Sequence, residues 1–303
     1  MIAENIIGNT EVKEYLEKIV KSNNVLHSYL FLGTEGIGKK EIAKEFAKKI
    51  LCDTKEDDCT CKSCVCFDSN NHPDLYIIDY ENQSIKIEEI RNLTEKVIEK
   101  PIISNKKVYI INNAETMTKE AQNCLLKTLE EPPEFVTIIL ISSNENLILN
   151  TIKSRCMSIK FNNIDKELLK KYINDNLENK NFPDNLLEYI NGSIGKAIKL
   201  QDTIDKYIEI DNFLKKITSL DIVDFLYYGK VVYDKENIQD ILNYIIVCLY
   251  SNSKDNVKYI YCIDHINKCS VRLKSNSNFD MCIDNMLMGM WEEMNENCSR
   301  GYI

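Results

Sequence analysis

Ser28-Tyr29-Leu30-Phe31-Leu32-Gly33-Thr34-Glu35-Gly36-Ile37-Gly38-Lys39-Lys40 is the stretch on which the fold turns. A short apolar, β-prone run (28–32) enters a glycine-rich loop, and Gly38–Cys52 follows with the apolar spacing of an amphipathic helix. Strand, glycine loop and helix in that order make a phosphate cradle. The loop N–H groups turn inward, and the helix N-terminus adds positive potential. Gly33, Gly36, Gly38 and Lys39 are the candidate phosphate-binding residues, with Lys39 as the cation. A working loop of this spacing continues with Ser or Thr, whose hydroxyl ligates Mg²⁺. Here the position is Lys40, which cannot ligate a cation. The residues therefore predict a nucleotide-type scaffold and leave open whether the loop still holds a nucleotide.

Outward from the loop, further β-like runs at Leu75–Ile78, Val108–Ile111, Val136–Ile141 and Met157–Phe161 alternate with helical segments at Ile87–Glu99 and Thr118–Glu131. That alternation predicts an α/β domain with a parallel sheet covered by helices. Thr118 is the expected N-cap of its helix, and Pro132-Pro133 ends it. In nucleotide hydrolases of this kind a later strand ends on an Asp for the Mg²⁺ shell and a Glu that activates water. The strand Val108–Ile111 is followed instead by Asn112-Asn113-Ala114-Glu115. Amides neither balance Mg²⁺ nor accept a proton, so hydrolysis of ATP by this chain alone is not expected.

The chain has 303 residues, a net charge of −9 and 44% hydrophobic residues. It is long enough for two domains and too acidic for a basic phosphate-binding footprint over its whole length. Its apolar stretch free of charged residues, 241–253, is shorter than the ~20 residues of a membrane span. Glu4 and Glu11 stand where a secretion leader would have its apolar core. A soluble cytoplasmic protein with no membrane partner is expected. After Phe161 strand signals fade, and from about residue 203 the pattern is helical, with polar loops near 251–255 and 275–278.

Twelve cysteines are present, and Cys52, Cys59, Cys61, Cys64 and Cys66 fall within 15 residues, where uniform scatter puts fewer than one. Four thiolates close a tetrahedral structural Zn²⁺ site. Cys52, Cys59, Cys61 and Cys64 are the expected ligands, with Cys66 the alternative to Cys59. A zinc-dependent nucleic-acid finger is disfavoured by the acidic run in Lys55-Glu56-Asp57-Asp58. His72-Pro73-Asp74 reads as a turn into the next strand, and His265 with Cys262 and Cys269 reads as helical core packing.

Several stretches together resemble the clamp-loader branch of the AAA+ proteins: His27–Phe31 with the glycine loop, the cysteine cluster with His72-Pro73-Asp74, and Ile85-Lys86-Ile87 through Arg91. Ala121-Gln122-Asn123-Cys124-Leu125-Leu126-Lys127-Thr128-Leu129-Glu130-Glu131-Pro132-Pro133, Ser154-Arg155-Cys156 and Gly192-Ser193-Ile194-Gly195 extend the likeness. The resemblance implies an AAA+ domain over 1–163 with a zinc module at about 52–66, a helical lid over 164–202 and a helical collar for oligomerisation over 203–303. It implies tau/gamma and delta clamp-loader subunits as partners in a pentameric hetero-oligomer, acting indirectly on the sliding clamp and primed DNA. Arg155 matches the family's trans-acting arginine finger. The family's cysteines after the first are spaced C-x2-C-x2-C, whereas Cys59 and Cys61 here are separated by one residue. The lid arginine of the family is replaced by Gly195, next to Lys196, and Ser142-Ser143-Asn144 lies at its first sensor. These losses predict a member without catalysis of its own; the alternative is an active tau/gamma-type ATPase.

Overall fold

The computed structural model describes residues 6–56, 59–80, 83–253, 256–275 and 277–295. Glu4, Asp57, Asp58 and parts of the two expected polar loops, residues 254, 255 and 276, lie outside the described residues, as does the end of the expected collar, 296–303. The strands are β1 (Ser28–Leu32), β2 (Leu75–Ile78), β3 (Lys107–Ile111), β4 (Val136–Ser142) and β5 (Met157–Lys160). The helices of the first part are α1 (Thr10–Lys21), α2 (Lys39–Leu51), α3 (Lys62–Asp68), α4 (Ile87–Val97), α5 (Lys119–Glu130) and α6 (Asn150–Lys153). Then come α7 (Lys166–Asn176), α8 (Asp184–Ile190), α9 (Ile194–Leu200), α10 (Ile204–Lys215), α11 (Ile222–Gly229), α12 (Ile238–Asn252), α13 (Lys258–Lys274) and α14 (Phe279–Asn295). Two compact units result: residues 1–172 with 192–196, and residues 173–191 with 197–303.

In the first unit the five strands pair in the order β2-β3-β4-β1-β5, and every pairing is parallel. β1, β3 and β4 are buried along their whole length, which is why they read as unbroken apolar runs. Successive side chains alternate between two cores. Tyr29 and Phe31 of β1 pack with Leu16 and Val20 of α1 and with Ile42, Phe46 and Ile50 of α2. Leu30 and Leu32 pack on the other face with Ile90 and Leu93 of α4 and Leu125 and Leu129 of α5. Phe46 meets Tyr29 edge to face at 5.2 Å between ring centroids. α5 begins where its sequence says: Thr118 caps it, accepting the Ala121 N–H at 3.2 Å. Lys107, almost fully buried, is satisfied by the carbonyls of Lys96 (3.1 Å) and Glu99 (3.0 Å) at the end of α4, where the helix dipole favours a cation. The carboxyl edge of this parallel sheet, where β1 opens into the glycine loop, is the edge at which such folds bind ligands.

The second unit is helical. Asp211 of α10, largely buried, accepts from Asn185 Nδ2 (2.7 Å) and the Tyr244 hydroxyl (3.3 Å) and pairs with Lys215 (2.9 Å). Cys262, Ile266 and Cys269 of α13 are buried, as are Cys282, Ile283, Met286 and Met290 of α14. His265 is packing of this helix pair, with Nε2 3.5 Å from Glu293 Oε1. No described helix is long and apolar enough to cross a membrane.

Candidate functional site

The glycine loop between β1 and α2 is closed on itself. Lys39 is almost fully buried, and its ammonium donates to the carbonyls of Gly33 (2.5 Å) and Thr34 (2.6 Å). Burial lowers its pKa to about 8, against the opposing pull of Glu115 and Glu35. Over the loop tip, Ser193 Oγ donates to the Glu35 carbonyl and Gly195 N–H to the Gly36 carbonyl, both at 2.8 Å. Gly36 has φ +77°, and a Cβ there would fall 2.3 Å from Ser193 Oγ. A Cβ on Gly195 would meet Gly36 Cα at 2.8 Å, so the two glycines stand back to back because nothing larger fits. Gly195 is thus a close-approach residue.

The positions that would handle Mg²⁺ are tied to one another. Lys40 Nζ forms an ion pair with Asp79, the residue directly after β2, and Asn112 Nδ2 donates to Asp79 Oδ1 at 2.7 Å. Burial pushes the Asp79 carboxyl up, but the hydrogen bonds from Lys40 and Asn112 outweigh it and hold the group below its usual value. An ammonium, a carboxylate and an amide therefore occupy one another at the sheet's carboxyl edge. Asn113 has left-handed backbone angles (φ 52°, ψ 45°) at the start of a 3-10 turn, a conformation Asn tolerates well. Glu115 Oε1 accepts the Ser143 N–H at 2.9 Å, while its Oε2 is buried with no hydrogen-bond partner among the described residues.

Arg155 follows α6. That turn is set by Gln122 of α5, whose amide donates to the Leu147 carbonyl (3.0 Å) and accepts the Leu149 N–H (2.9 Å). Ser28 Oγ donates to the Arg155 carbonyl at 2.7 Å and so fixes its backbone to β1. The guanidinium Nη1 donates to the Thr151 carbonyl (2.9 Å) and Ser154 Oγ (3.3 Å), and Nη2 lies 2.6 Å from Glu130 Oε1.

Beyond α2, the sulfurs of Cys52, Cys59, Cys61 and Cys64 lie within 4.8 Å of one another. Backbone N–H groups of Lys55 and Cys61 donate to the sulfurs of Cys52 (3.3 Å) and Cys59 (3.4 Å). The Cys59 thiol is drawn down to about 6 by hydrogen bonds, first from Thr54 and then from the Cys61 N–H, while burial pushes Cys64 up. A converging all-sulfur donor set of this size fits a metal ion. Cys66 is not part of the group. α3 carries Cys64 and Cys66 two residues apart, roughly 200° around the helix axis, so only one faces the cluster. His72 stays outside as well: it accepts the Asp74 N–H at Nδ1 (3.1 Å), and its Nε2 lies 2.8 Å from Ser63 Oγ. Ser63 itself donates to the Leu51 carbonyl at 2.7 Å, so the proton of this neutral imidazole is assigned to Nε2.

Sequence reasoning missed Asp79 and Glu130. Asp79 carried a signal, a carboxylate at a strand end beside the loop; Glu130 carried none outside its motif.

The family model described as DNA polymerase III, delta subunit, matches residues 8–165, just over half of the chain. The chain is 34% identical over 194 residues to DNA polymerase III subunit delta' of Bacillus subtilis, covering 62% of this chain and 58% of that protein. It is 32% identical over 207 residues to DNA polymerase III subunit tau/gamma of Haemophilus influenzae, covering 65% of this chain and 30% of that protein. It thus spans less than two thirds of either relative. Among solved structures, a DNA polymerase III gamma subunit-related protein of Thermotoga maritima superposes with a TM-score of 0.56 at 19% identity, over 93% of this chain and 99% of that one, a likeness of fold.

Proposed function

The chain belongs to the DNA polymerase III delta subunit family of clamp-loader proteins, and on that premise we propose that it is a delta-prime-type subunit without ATPase activity of its own. The observation that carries this reading is the closed Lys40–Asp79–Asn112 group. A magnesium ion brought there would find no hydroxyl, and its one carboxylate, Asp79, already paired with the Lys40 ammonium and the Asn112 amide. The Lys39 ammonium is engaged by the loop's own carbonyls and would have to leave them to reach a phosphate.

In this reading the subunit works within a hetero-pentamer with tau/gamma-type and delta subunits that loads the sliding clamp onto primed DNA. It supplies Arg155 to a neighbour's nucleotide site, where a guanidinium aimed at the γ-phosphate stabilises the charge of the transition state. Cys52, Cys59, Cys61 and Cys64 hold one structural Zn²⁺, since the all-thiolate tetrahedral set is the one zinc takes in closed sites. A tau/gamma-type ATPase is the second reading, favoured by the 32% identity to a tau/gamma subunit. The test is turnover of MgATP by the purified chain. None above background is expected; steady turnover that a Lys39→Ala variant abolishes would overturn the first reading in favour of the second.

A further inference from the structure

Glu130 is the last residue of α5, followed by Glu131. A carboxylate there faces the negative end of the helix dipole, where a cation is the favoured occupant. The helix itself gives no reason for this residue type. Its partner does: Glu130 Oε1 lies 2.6 Å from Arg155 Nη2. We propose that Glu130 is the positioning residue for Arg155, holding the guanidinium so that two of its N–H groups remain for a phosphoryl group of a neighbouring nucleotide. This inference rests on the arginine-finger reading above.

The donor count supports it. A guanidinium has five N–H groups in a rigid plane. Nη1 uses both of its own, on the Thr151 carbonyl and Ser154 Oγ, and Nη2 uses one on Glu130. Nε–H and the second Nη2–H have no acceptor among the described residues. Three anchors from two segments, with the backbone pinned by Ser28, orient a side chain that would otherwise sample many rotamers. Thr151 and Ser154 belong to Arg155's own turn and move with it. Glu130 stands on a different, well-packed helix and is the anchor that ties the fork to the body of the domain. It touches neither substrate nor nucleotide in this scheme; it acts through Arg155.

The experiment reconstitutes the complex with ATPase siblings, all sibling sites but the one adjacent to this chain being inactivated. It measures kcat and KM for MgATP in the presence of primed DNA. Arg155→Ala is expected to lower kcat by ~10³-fold. Glu130→Ala is expected to lower kcat about tenfold with KM changed less than about twofold, since misaligned groups lose rate rather than affinity. Glu130→Gln, whose amide oxygen still accepts one N–H, should fall between wild type and Glu130→Ala. The double variant should be no slower than Arg155→Ala alone, because the two residues act as one unit. A Glu130→Ala complex as fast as wild type or faster, with Arg155→Ala slow, would overturn the role of Glu130 and leave the finger standing. So would a double variant slower than Arg155→Ala. An Arg155→Ala complex at wild-type rate would overturn the finger reading and this inference with it. Equal complex mass and equal unfolding midpoints for the single variants separate these outcomes from loss of fold.

Discussion

The glycine loop and the cysteine cluster lie at opposite ends of α2, and they treat charge in opposite ways. At the loop, three polar side chains have partners within the chain: Lys39 on carbonyls, Lys40 on Asp79, Asn112 on the same carboxylate. At the cluster, four sulfurs converge within 4.8 Å of one another. The first arrangement pairs its charges internally; the second offers a donor set that could hold a cation. Residues at a glycine loop can thus satisfy one another's charge within the chain.

The sharpest way to break this comparison is at the cluster. Cys64→Ser should drop bound zinc from about one per chain to near none and lower the unfolding midpoint by well over ten degrees, because structural metal binding contributes directly to folding free energy. Elemental analysis and thermal unfolding check it. Cys66→Ser should retain the metal; loss of zinc in that variant would contradict the geometry of α3.

At the loop the expected effect is smaller. Asp79→Ala leaves the Lys40 ammonium without its carboxylate in a half-exposed setting, where solvent screens the pair. A loss of about 1 kcal/mol in urea unfolding is expected. Lys40→Met/Asp79→Ala together should recover part of it, because no unpaired ammonium remains.

The smallest effect is the pH dependence. The Asp79 carboxyl titrates lower in the folded chain than in the unfolded one, so the stability it contributes is present above the unfolded aspartate value of about 3.9. That stability is lost as pH falls through the lower, folded value. The gap in unfolding free energy between wild type and Asp79→Asn should therefore be widest near pH 6 and narrow as pH is lowered below about 4. A gap that widens on acidification would show that the Asp79 interaction is not ionic. Taking the difference between the two proteins removes the acid sensitivity of the thiolate cluster, which both share.

Much of the sheet was legible because each buried strand is an apolar run bounded by polar or glycine residues, and strand boundaries shift by at most a residue: β3 begins at Lys107 and β5 ends at Lys160. The Thr118 cap and the stop at Pro132-Pro133 were likewise local signals. α3 was not legible. Its seven residues, Lys-Ser-Cys-Val-Cys-Phe-Asp, have too little apolar periodicity to announce a helix, and its cysteines drew the reading toward ligand spacing instead. With α3 unseen, Cys66 stayed open as the alternative to Cys59, the expected ligand, and the structure groups Cys59 with the other three.

What the sequence determined by itself is everything fixed within a turn or two of chain: the parallel-strand runs, the glycine loop, the helix cap, the missing hydroxyl at Lys40, the missing carboxylates at Asn112-Asn113 and the gathering of thiols near residue 60. What only tertiary structure decided is who meets whom across the chain. Lys40 finds Asp79, Gly36 backs onto Gly195, Glu130 reaches Arg155, and the twist of α3 turns Cys64 inward and Cys66 away. The physical reason is that spacing along a chain sets which face of an element a residue occupies. The choice of partner depends on how separate elements pack against one sheet, and the burial and charge of all of them settle that together.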